Sequence, residues 1–132
     1  MPLLALVADD DQPSVELVRY LLEIDGFEVI SAADGGEALS LAAARRPDVI
    51  VLNLDLPVVD GCQVCDRLAA DAELSAIPIV VVSVYEIGEF CPDREAAEFA
   101  GYVRKPVDFN QFTEAVRQLG LYWLMLNEVP PS

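Results

Sequence analysis

The run Val49-Ile-Val-Leu52, followed directly by Asn53, constrains the fold more than any other part of the chain. It contains no polar residue and is bounded by Pro47 and Pro57, the pattern of a strand that is buried on both faces of a parallel sheet. Parallel strands need helical crossovers, so the run also predicts helices before and after it. Polar side chains at the carboxyl ends of such strands lie where open α/β sheets place their binding sites.

Four further segments are predicted as strands, and helical segments separate them. The predicted strands are 3–8, 27–31, 49–53, 77–82 and 102–104. The predicted helices are 13–25, 37–45, 62–70, 93–99 and 109–119, and residues 84–92 are expected to form a loop. This alternation predicts an α/β fold of the flavodoxin-like (βα)5 kind, a doubly wound parallel sheet with strand order 2-1-3-4-5.

The composition excludes several classes of protein. The chain has 132 residues, 54% of them hydrophobic, which fits one folded domain. A net charge of −15 argues against binding to nucleic acid or to anionic membrane. No apolar run approaches the ~20 residues of a membrane span, and the N-terminus lacks the basic region of a signal peptide. A cytoplasmic location is therefore expected.

The chain has three cysteines, an odd number that indicates no disulfide framework. Cys62 and Cys65 form a C-x-x-C pair on one face of a predicted helix. The chain has no histidine and no second cysteine pair, so a zinc site would lack ligands. We expect these cysteines to be small apolar residues of the helix.

Polar residues also follow three of the other predicted strands. The acids Asp9, Asp10 and Asp11 follow the first strand, Ser83 the fourth, and Lys105 the fifth. The switch point of a 2-1-3-4-5 sheet lies between strands 1 and 3, which places the acids beside the polar residue that follows strand 3. One site is therefore expected at this edge, although the acids could be helix-capping residues alone.

These motifs resemble the receiver domain of two-component response regulators, of the stand-alone CheY-like kind. The resemblance covers essentially the whole chain. It rests on four segments in the right order, each weak by itself: Ala8-Asp-Asp-Asp11, Leu52-Asn-Leu-Asp-Leu-Pro57 with Asp60-Gly61 after it, Val82-Ser83, and Tyr102-Val-Arg-Lys-Pro106.

The resemblance implies a Mg²⁺ site and a phosphate acceptor. Asp9 and Asp10 match the acidic pair that holds the metal, with Asp10 as the direct ligand. Asp55 matches the residue whose backbone carbonyl binds the metal. Asn53 occupies the position of the phospho-accepting aspartate, and its amide oxygen is itself a candidate metal ligand.

The resemblance also implies a phosphate pocket and a switch. Ser83 matches the hydroxyl that contacts the phosphoryl group, Lys105 the lysine that neutralises it, and Tyr102 the aromatic residue that turns inward as the hydroxyl moves. Each residue also has a purely structural interpretation: Ser83 as a strand-end hydroxyl, Lys105 as an ion-pair partner of Asp9 or Asp10, and Tyr102 as a static half-buried ring.

Asn53 changes the expected chemistry. An amide is neutral and its nitrogen lone pair is delocalised, so it should not accept a phosphoryl group as a carboxylate does. Loss of one charge at ~4 Å is worth roughly 4 kcal/mol of Coulomb energy at an effective dielectric near 20, so Mg²⁺ binding should be weak.

The expected function is that of a degenerate receiver, not an enzyme, that binds a sensor histidine kinase or another signalling protein. The alternative is a phosphotransfer-competent receiver, in which Asn53 is an engineered replacement of aspartate or Ser83 or Asp55 accepts the phosphate. A flavodoxin-like enzyme or nucleotide binder is disfavoured, because no glycine-rich phosphate loop follows strand 1.

Two segments depart from the receiver pattern. The stretch 95–101 is short, so the fourth helix is expected to be clipped or shifted. The receiver domain is expected to span residues 1–119, followed by an apolar extension, 120–132, that contains Leu121-Tyr-Trp-Leu-Met-Leu126. Such a segment needs a covering surface: either its own domain, or a second copy in a two-fold homodimer through 109–126.

Overall fold

The computed structural model describes residues 2–120, and the apolar segment 121–126 lies outside them. Five parallel strands form one sheet in the order β2-β1-β3-β4-β5, which confirms the predicted topology. The strands are β1 Leu4–Ala8, β2 Glu28–Ala32, β3 Val49–Leu52, β4 Ile79–Ser83 and β5 Gly101–Arg104.

Helices cover both faces of the sheet, as the alternation of elements predicts. They are α1 Gln12–Ile24, α2 Gly35–Arg45, α3 Gly61–Ala70, α4 Ile87–Phe90 and α5 Phe109–Arg117, with a 3₁₀ turn at Ala96–Glu98. One core layer packs β1 and β3 against α1 and α5, and the other packs the same strands against α2 and α3. Among residues 2–120, no helix is long and apolar enough to cross a membrane.

The register of β1 and β3 positions the site. Ala8 lies opposite Leu52 in the parallel ladder, and the backbone N–H of Asn53 donates to the carbonyl of Ala8 at 2.9 Å. All four residues of β3 are buried. The residues that follow these two strands, Asp9 and Asn53, are therefore neighbours at the carboxyl edge of the sheet.

Carboxylates fix the starts of several helices at that edge. Asp34, Asp60 and Asp108 each precede a helix and accept from the backbone N–H three residues further on, at 2.8, 2.9 and 2.8 Å. Each bond satisfies one of the free N–H groups of a helix start. Part of the acidic excess of the chain therefore has a structural role.

The fourth helix is clipped and shifted, as expected from the short stretch 95–101, but its predicted bounds were wrong. We expected a loop at 84–92 and a helix at 93–99, but the structure has a single helical turn, Ile87–Phe90, and the 3₁₀ turn at Ala96–Glu98. Pro92 disfavours helical geometry at the residue before it, so α4 ends at Phe90. In α5, Phe112 and Val116 are buried, whereas Phe109, the first residue of the helix, is 53% exposed.

The cysteine prediction was wrong for Cys62 and right for Cys65. Cys62 in α3 and Cys91, the residue after α4, form a disulfide, while Cys65 is buried and free. The two bonded residues are 29 positions apart in the sequence. They meet because Cys62 lies against the small cluster formed by Leu54, Val81, Ile87 and Cys91, and spacing along the chain does not reveal that contact.

Candidate functional site

Asn53 is the centre of the predicted site, and its side chain acts as a donor. Only 7% of the residue is exposed. Its amide nitrogen Nδ2 lies 3.3 Å from Oδ1 of Asp9 and 3.3 Å from the backbone carbonyl oxygen of Asp55. The backbone carbonyl of Asp55 and the ionised carboxylate of Asp9 can only accept hydrogen bonds. The N–H groups of the amide therefore face these two oxygens. Both bonds are long.

Asp9 is 4% exposed, and both of its carboxylate oxygens are occupied. The Nζ of Lys105 donates to Oδ2 at 2.9 Å, and Oδ1 accepts from the backbone N–H of Asp11 at 3.0 Å as well as from Asn53. A buried carboxylate is tolerated when it is paired and hydrogen-bonded in this way. The predicted ion pair between Lys105 and an acid of the cluster is therefore present, with Asp9.

Asp10 and Asp55 lie outside this network. Both are exposed, and within residues 2–120 neither carboxylate makes a hydrogen bond or an ion pair; Asp55 contributes only its backbone carbonyl. No three acidic or cysteine side chains in the described part of the chain are grouped to hold a metal ion. The structure thus brings together Asp9, Asn53 and Lys105, but not the side chain of Asp10.

Ser83, at the end of β4, is completely buried. Its Oγ accepts from the backbone N–H of Tyr85 at 3.0 Å. Its backbone carbonyl accepts from the N–H of Lys105 at 2.9 Å. The hydroxyl therefore holds the turn after β4, and the same residue holds the start of the turn after β5.

Two residues of β5 hold the loop after β4. The hydroxyl of Tyr102 donates to the carbonyl of Tyr85 at 2.6 Å. Arg104 donates to the carbonyl of Val84 at 2.8 Å and forms an ion pair with Glu86. Burial raises the pKa of Tyr102, and the charge of Arg104 opposes that rise. Residues 84–86 are thus clamped to the edge strand; we call this set of bonds the β5 clamp.

Sequence reasoning singled out Tyr102 but missed Arg104. Residues two apart in a strand lie on the same face. The spacing of Tyr102 and Arg104 therefore already indicated that both side chains could contact the same neighbouring segment. What the sequence lacked was the position of the loop after β4, which depends on the altered fourth helix.

A model of the response regulator receiver domain matches residues 5–117. The chain belongs to the response regulator receiver family. A curated relative, the polar-differentiation response regulator DivK of Brucella anthropi, is 33% identical over 120 residues, which cover 89% of this chain and 95% of DivK.

Solved receiver structures are similar as well. The chemotaxis response regulator CheY4 of Vibrio cholerae is 25% identical with a TM-score of 0.80, covering 90% of this chain and 99% of that one. The bacteriophytochrome response regulator RtBRR is 33% identical with a TM-score of 0.79, covering 99% of this chain and 86% of that one. Receiver domains are signalling modules of two-component systems that interact with histidine kinases and other signalling proteins.

Receiver domains typically bind Mg²⁺ in their acidic pocket, and the residues present here do not fit that ion as they are arranged. Mg²⁺ requires about six oxygen ligands in near-ideal octahedral geometry. Two of the oxygens in this receiver, Oδ1 of Asp9 and the carbonyl of Asp55, already accept from the Asn53 amide. The other oxygen of Asp9 accepts from Lys105. The ion would have to rotate the amide and break the ion pair.

Proposed function

We propose that this receiver signals by binding another protein and does not accept a phosphoryl group at Asn53. One observation carries the proposal: the Asn53 amide donates to the two oxygens, on Asp9 and Asp55, that the receiver resemblance assigns to the metal. The N–H groups of a neutral amide thus occupy the place of a cation. The site is satisfied without a metal ion or a phosphoryl group.

The chemistry of Asn53 supports this proposal. A carboxylate acceptor attacks phosphorus with a charged oxygen, whereas the amide oxygen is neutral and its nitrogen lone pair is delocalised. The groups that would receive the phosphoryl group are also engaged, Lys105 with Asp9 and the Ser83 hydroxyl with the N–H of Tyr85. We therefore assign Lys105 and Ser83 structural roles in this chain.

The partner-binding surface of this proposal is the face formed by α4 and β5. The β5 clamp already fixes the loop beside it, so Tyr102 would not need a phosphoryl group to adopt its bonded position. A sensor histidine kinase or another signalling protein in the cytoplasm is the proposed partner. In this proposal the chain performs no catalysis, and the protein it binds determines the outcome.

Intact mass tests the proposal. The chain and its Asn53→Asp variant are incubated with acetyl phosphate and Mg²⁺, and a gain of about 80 Da marks one phosphoryl group. We expect a gain in the variant alone, because only the variant has the nucleophile. A gain in the unchanged chain would overturn the proposal. Ser83→Ala and Asp55→Asn would then identify the acceptor, although Ser83 is buried and Asp55 is exposed to solvent.

The apolar extension supports a second proposal, a homodimer through residues 109–126. α1 presents an apolar stripe to solvent: Leu17, Tyr20 and Ile24 are 42, 61 and 55% exposed, at spacings that place them on one helix face. Arg117, the last residue of α5, lies 3.5 Å from Asp25, the residue after α1. The C-terminal ends of α1 and α5 therefore lie near each other, and we propose that the extension of a second copy covers the α1 stripe.

Molar mass in solution tests the dimer. We expect the full chain to be dimeric and a chain that ends at Leu119 to be monomeric. Tyr20→Lys, placed in the α1 stripe, should weaken the dimer, whereas Tyr85→Lys, away from the stripe, should not. A monomeric full chain that loses thermal stability on truncation would instead show that the extension packs on its own domain.

A further inference from the structure

The α4 segment, residues 86–98, has few attachments of its own. It contains one helical turn and one 3₁₀ turn, and only Ile87 and Cys91 within it are buried. Outside the β5 clamp, its covalent and polar attachments to α3 are the disulfide from Cys62 to Cys91, the contact of Cys62 with the Phe90 carbonyl, and the ion pair from Asp66 to Arg94, at 2.6 Å. A segment with so little burial opens easily when one attachment is lost.

The geometry around Cys62 accommodates both redox states. The Cα atoms of Cys62 and Cys91 are 5.8 Å apart, within the range that a disulfide spans. The same Cys62 Sγ lies 3.5 Å from the carbonyl oxygen of Phe90. A disulfide sulfur has no proton to donate, but the reduced thiol could donate to that oxygen. Opening the bond therefore leaves Cys62 with a hydrogen-bond partner where it stands.

A cavity of about 410 Å³ gives small molecules access to the pair. Both Cys62 and Cys91 line it, and Cys62 is half-buried while Cys91 is 4% exposed. The charged side chains of its lining are Asp60, Asp66, Asp93, Arg94 and Glu98. Because four of these five are acidic, the cavity admits a small neutral oxidant more readily than an anionic one.

Cys65 takes no part and serves as an internal control. It lies one helical turn from Cys62 in α3, and it is 2% exposed and free. Burial raises its pKa to about 11. Since the thiolate is the reactive form, this thiol stays protonated and inert near neutral pH.

We propose that Cys62 and Cys91 are a redox modification site, whose reversible disulfide ties the α4 segment to α3. Hydrogen peroxide, small and neutral, is the oxidant we assign. The Cys62 sulfur attacks the O–O bond to give a sulfenic acid and one water; the Cys91 sulfur then attacks that sulfur, which forms the S–S bond and releases a second water. A dithiol reductant reverses the change by exchange and becomes a disulfide itself.

The link gives this receiver an input that does not pass through Asn53. In the oxidised chain the α4 segment is covalently attached to α3. In the reduced chain it keeps the ion pair of Arg94 and the contacts of Ile87, and it opens more often. A disulfide in a reducing compartment is usually regulatory, and the proposed location of this chain is the cytoplasm. The inference stands whether or not Asn53 accepts a phosphoryl group.

Thiol counting tests the modification site. The full chain is treated with hydrogen peroxide or with a dithiol, unfolded, and labelled with a maleimide. We expect one label after peroxide and all three after the dithiol, since the chain has three cysteines. Cys65→Ser should give no label after peroxide and two labels after the dithiol. Cys62→Ser should give two labels after either treatment. Three labels after peroxide, or a disulfide that contains Cys65, would overturn the proposal.

Hydrogen exchange tests the structural consequence. The N–H of Cys91 donates to the Ile87 carbonyl at 2.7 Å, and the N–H of Arg94 to the Cys91 carbonyl at 3.0 Å. On reduction we expect both amides to exchange about tenfold faster or more, while β1 and β3 are unaffected. Cys62→Ser should exchange fast in both states, and Cys65→Ser should behave as the unchanged chain. Equal protection of the Cys91 and Arg94 amides in the oxidised and reduced chains would contradict the proposed attachment of the α4 segment to α3.

Discussion

The role of Asn53 follows from its side chain, which is an amide where an aspartate would have a carboxylate. An aspartate there would add a second carboxylate beside Asp9, and the two would need a cation between them. The amide instead provides two N–H donors, which face Asp9 and the Asp55 carbonyl. Lys105 then balances the single charge of Asp9. The folded state should therefore need no divalent ion.

Asn53→Asp should make stability depend on Mg²⁺. Without the ion, two close carboxylates should lower the free energy of unfolding by about 1–3 kcal/mol relative to the unchanged chain. Mg²⁺ should restore that loss in the variant and change the melting temperature of the unchanged chain little. The measurement is a Mg²⁺ titration of melting temperature at constant ionic strength. Equally steep curves for the two chains would refute the argument.

Val58→Gly should stabilise the fold. Val58 is 83% exposed and has φ of +70°, a left-handed conformation that is unfavourable for a β-branched residue. Glycine adopts it without strain, so we expect a gain of about 1 kcal/mol in the free energy of unfolding by urea. Val84→Gly is the matched control: Val84 is also exposed but has no positive φ, and it should lose stability. A loss at both positions would contradict the strain at Val58.

At the scale of elements, the sheet followed from the sequence, whereas the bounds of the helical turns in the α4 segment did not. Strands such as β3 are apolar along their whole length, so burial on both faces defines them. Residues 84–98 have no apolar periodicity, and local bonds decide their shape: Glu89 and Glu98 accept from the N–H groups three residues before them. The contact of Cys62 with Cys91 depends on that shape, and was missed for the same reason. The meeting of Asp9 with Asn53 depends only on strand order, and was predicted.

Tyr102→Phe should loosen the loop after β4. The substitution removes the 2.6 Å hydrogen bond to the Tyr85 carbonyl and keeps the ring. We expect a loss of about 1 kcal/mol in the free energy of unfolding and faster hydrogen exchange at the Tyr85 amide, which is bonded to Ser83 Oγ. Tyr20→Phe, at a ring that is 61% exposed, should change neither. If the two variants behave alike, the β5 clamp does not hold this loop.

At the scale of the whole molecule, acidic residues outnumber basic residues. The chain has 23 acidic and 8 basic residues. Six of the basic residues already form ion pairs with acids of the described part: Arg45, Arg46, Arg94, Arg104, Lys105 and Arg117. Little positive charge is left to offset the remaining acids, so they repel one another across the surface.

Monovalent salt should therefore raise the melting temperature. Screening shortens the range of repulsion from about 30 Å near 0.01 M to about 10 Å near 0.1 M, and a gain of about 1 kcal/mol corresponds to roughly 4 °C in a domain of this size. We expect a rise of that order in KCl.

Glu23→Lys provides the matched variant for the salt experiment. Glu23 is exposed in the last turn of α1, where a positive charge also favours the helix dipole. The variant should melt higher than the unchanged chain at low salt, and the difference should shrink as KCl is added. Two protein concentrations separate this effect from association, because only dimer formation makes the midpoint depend on concentration. A melting temperature that falls with KCl would mean that the six ion pairs outweigh the repulsion among the acids.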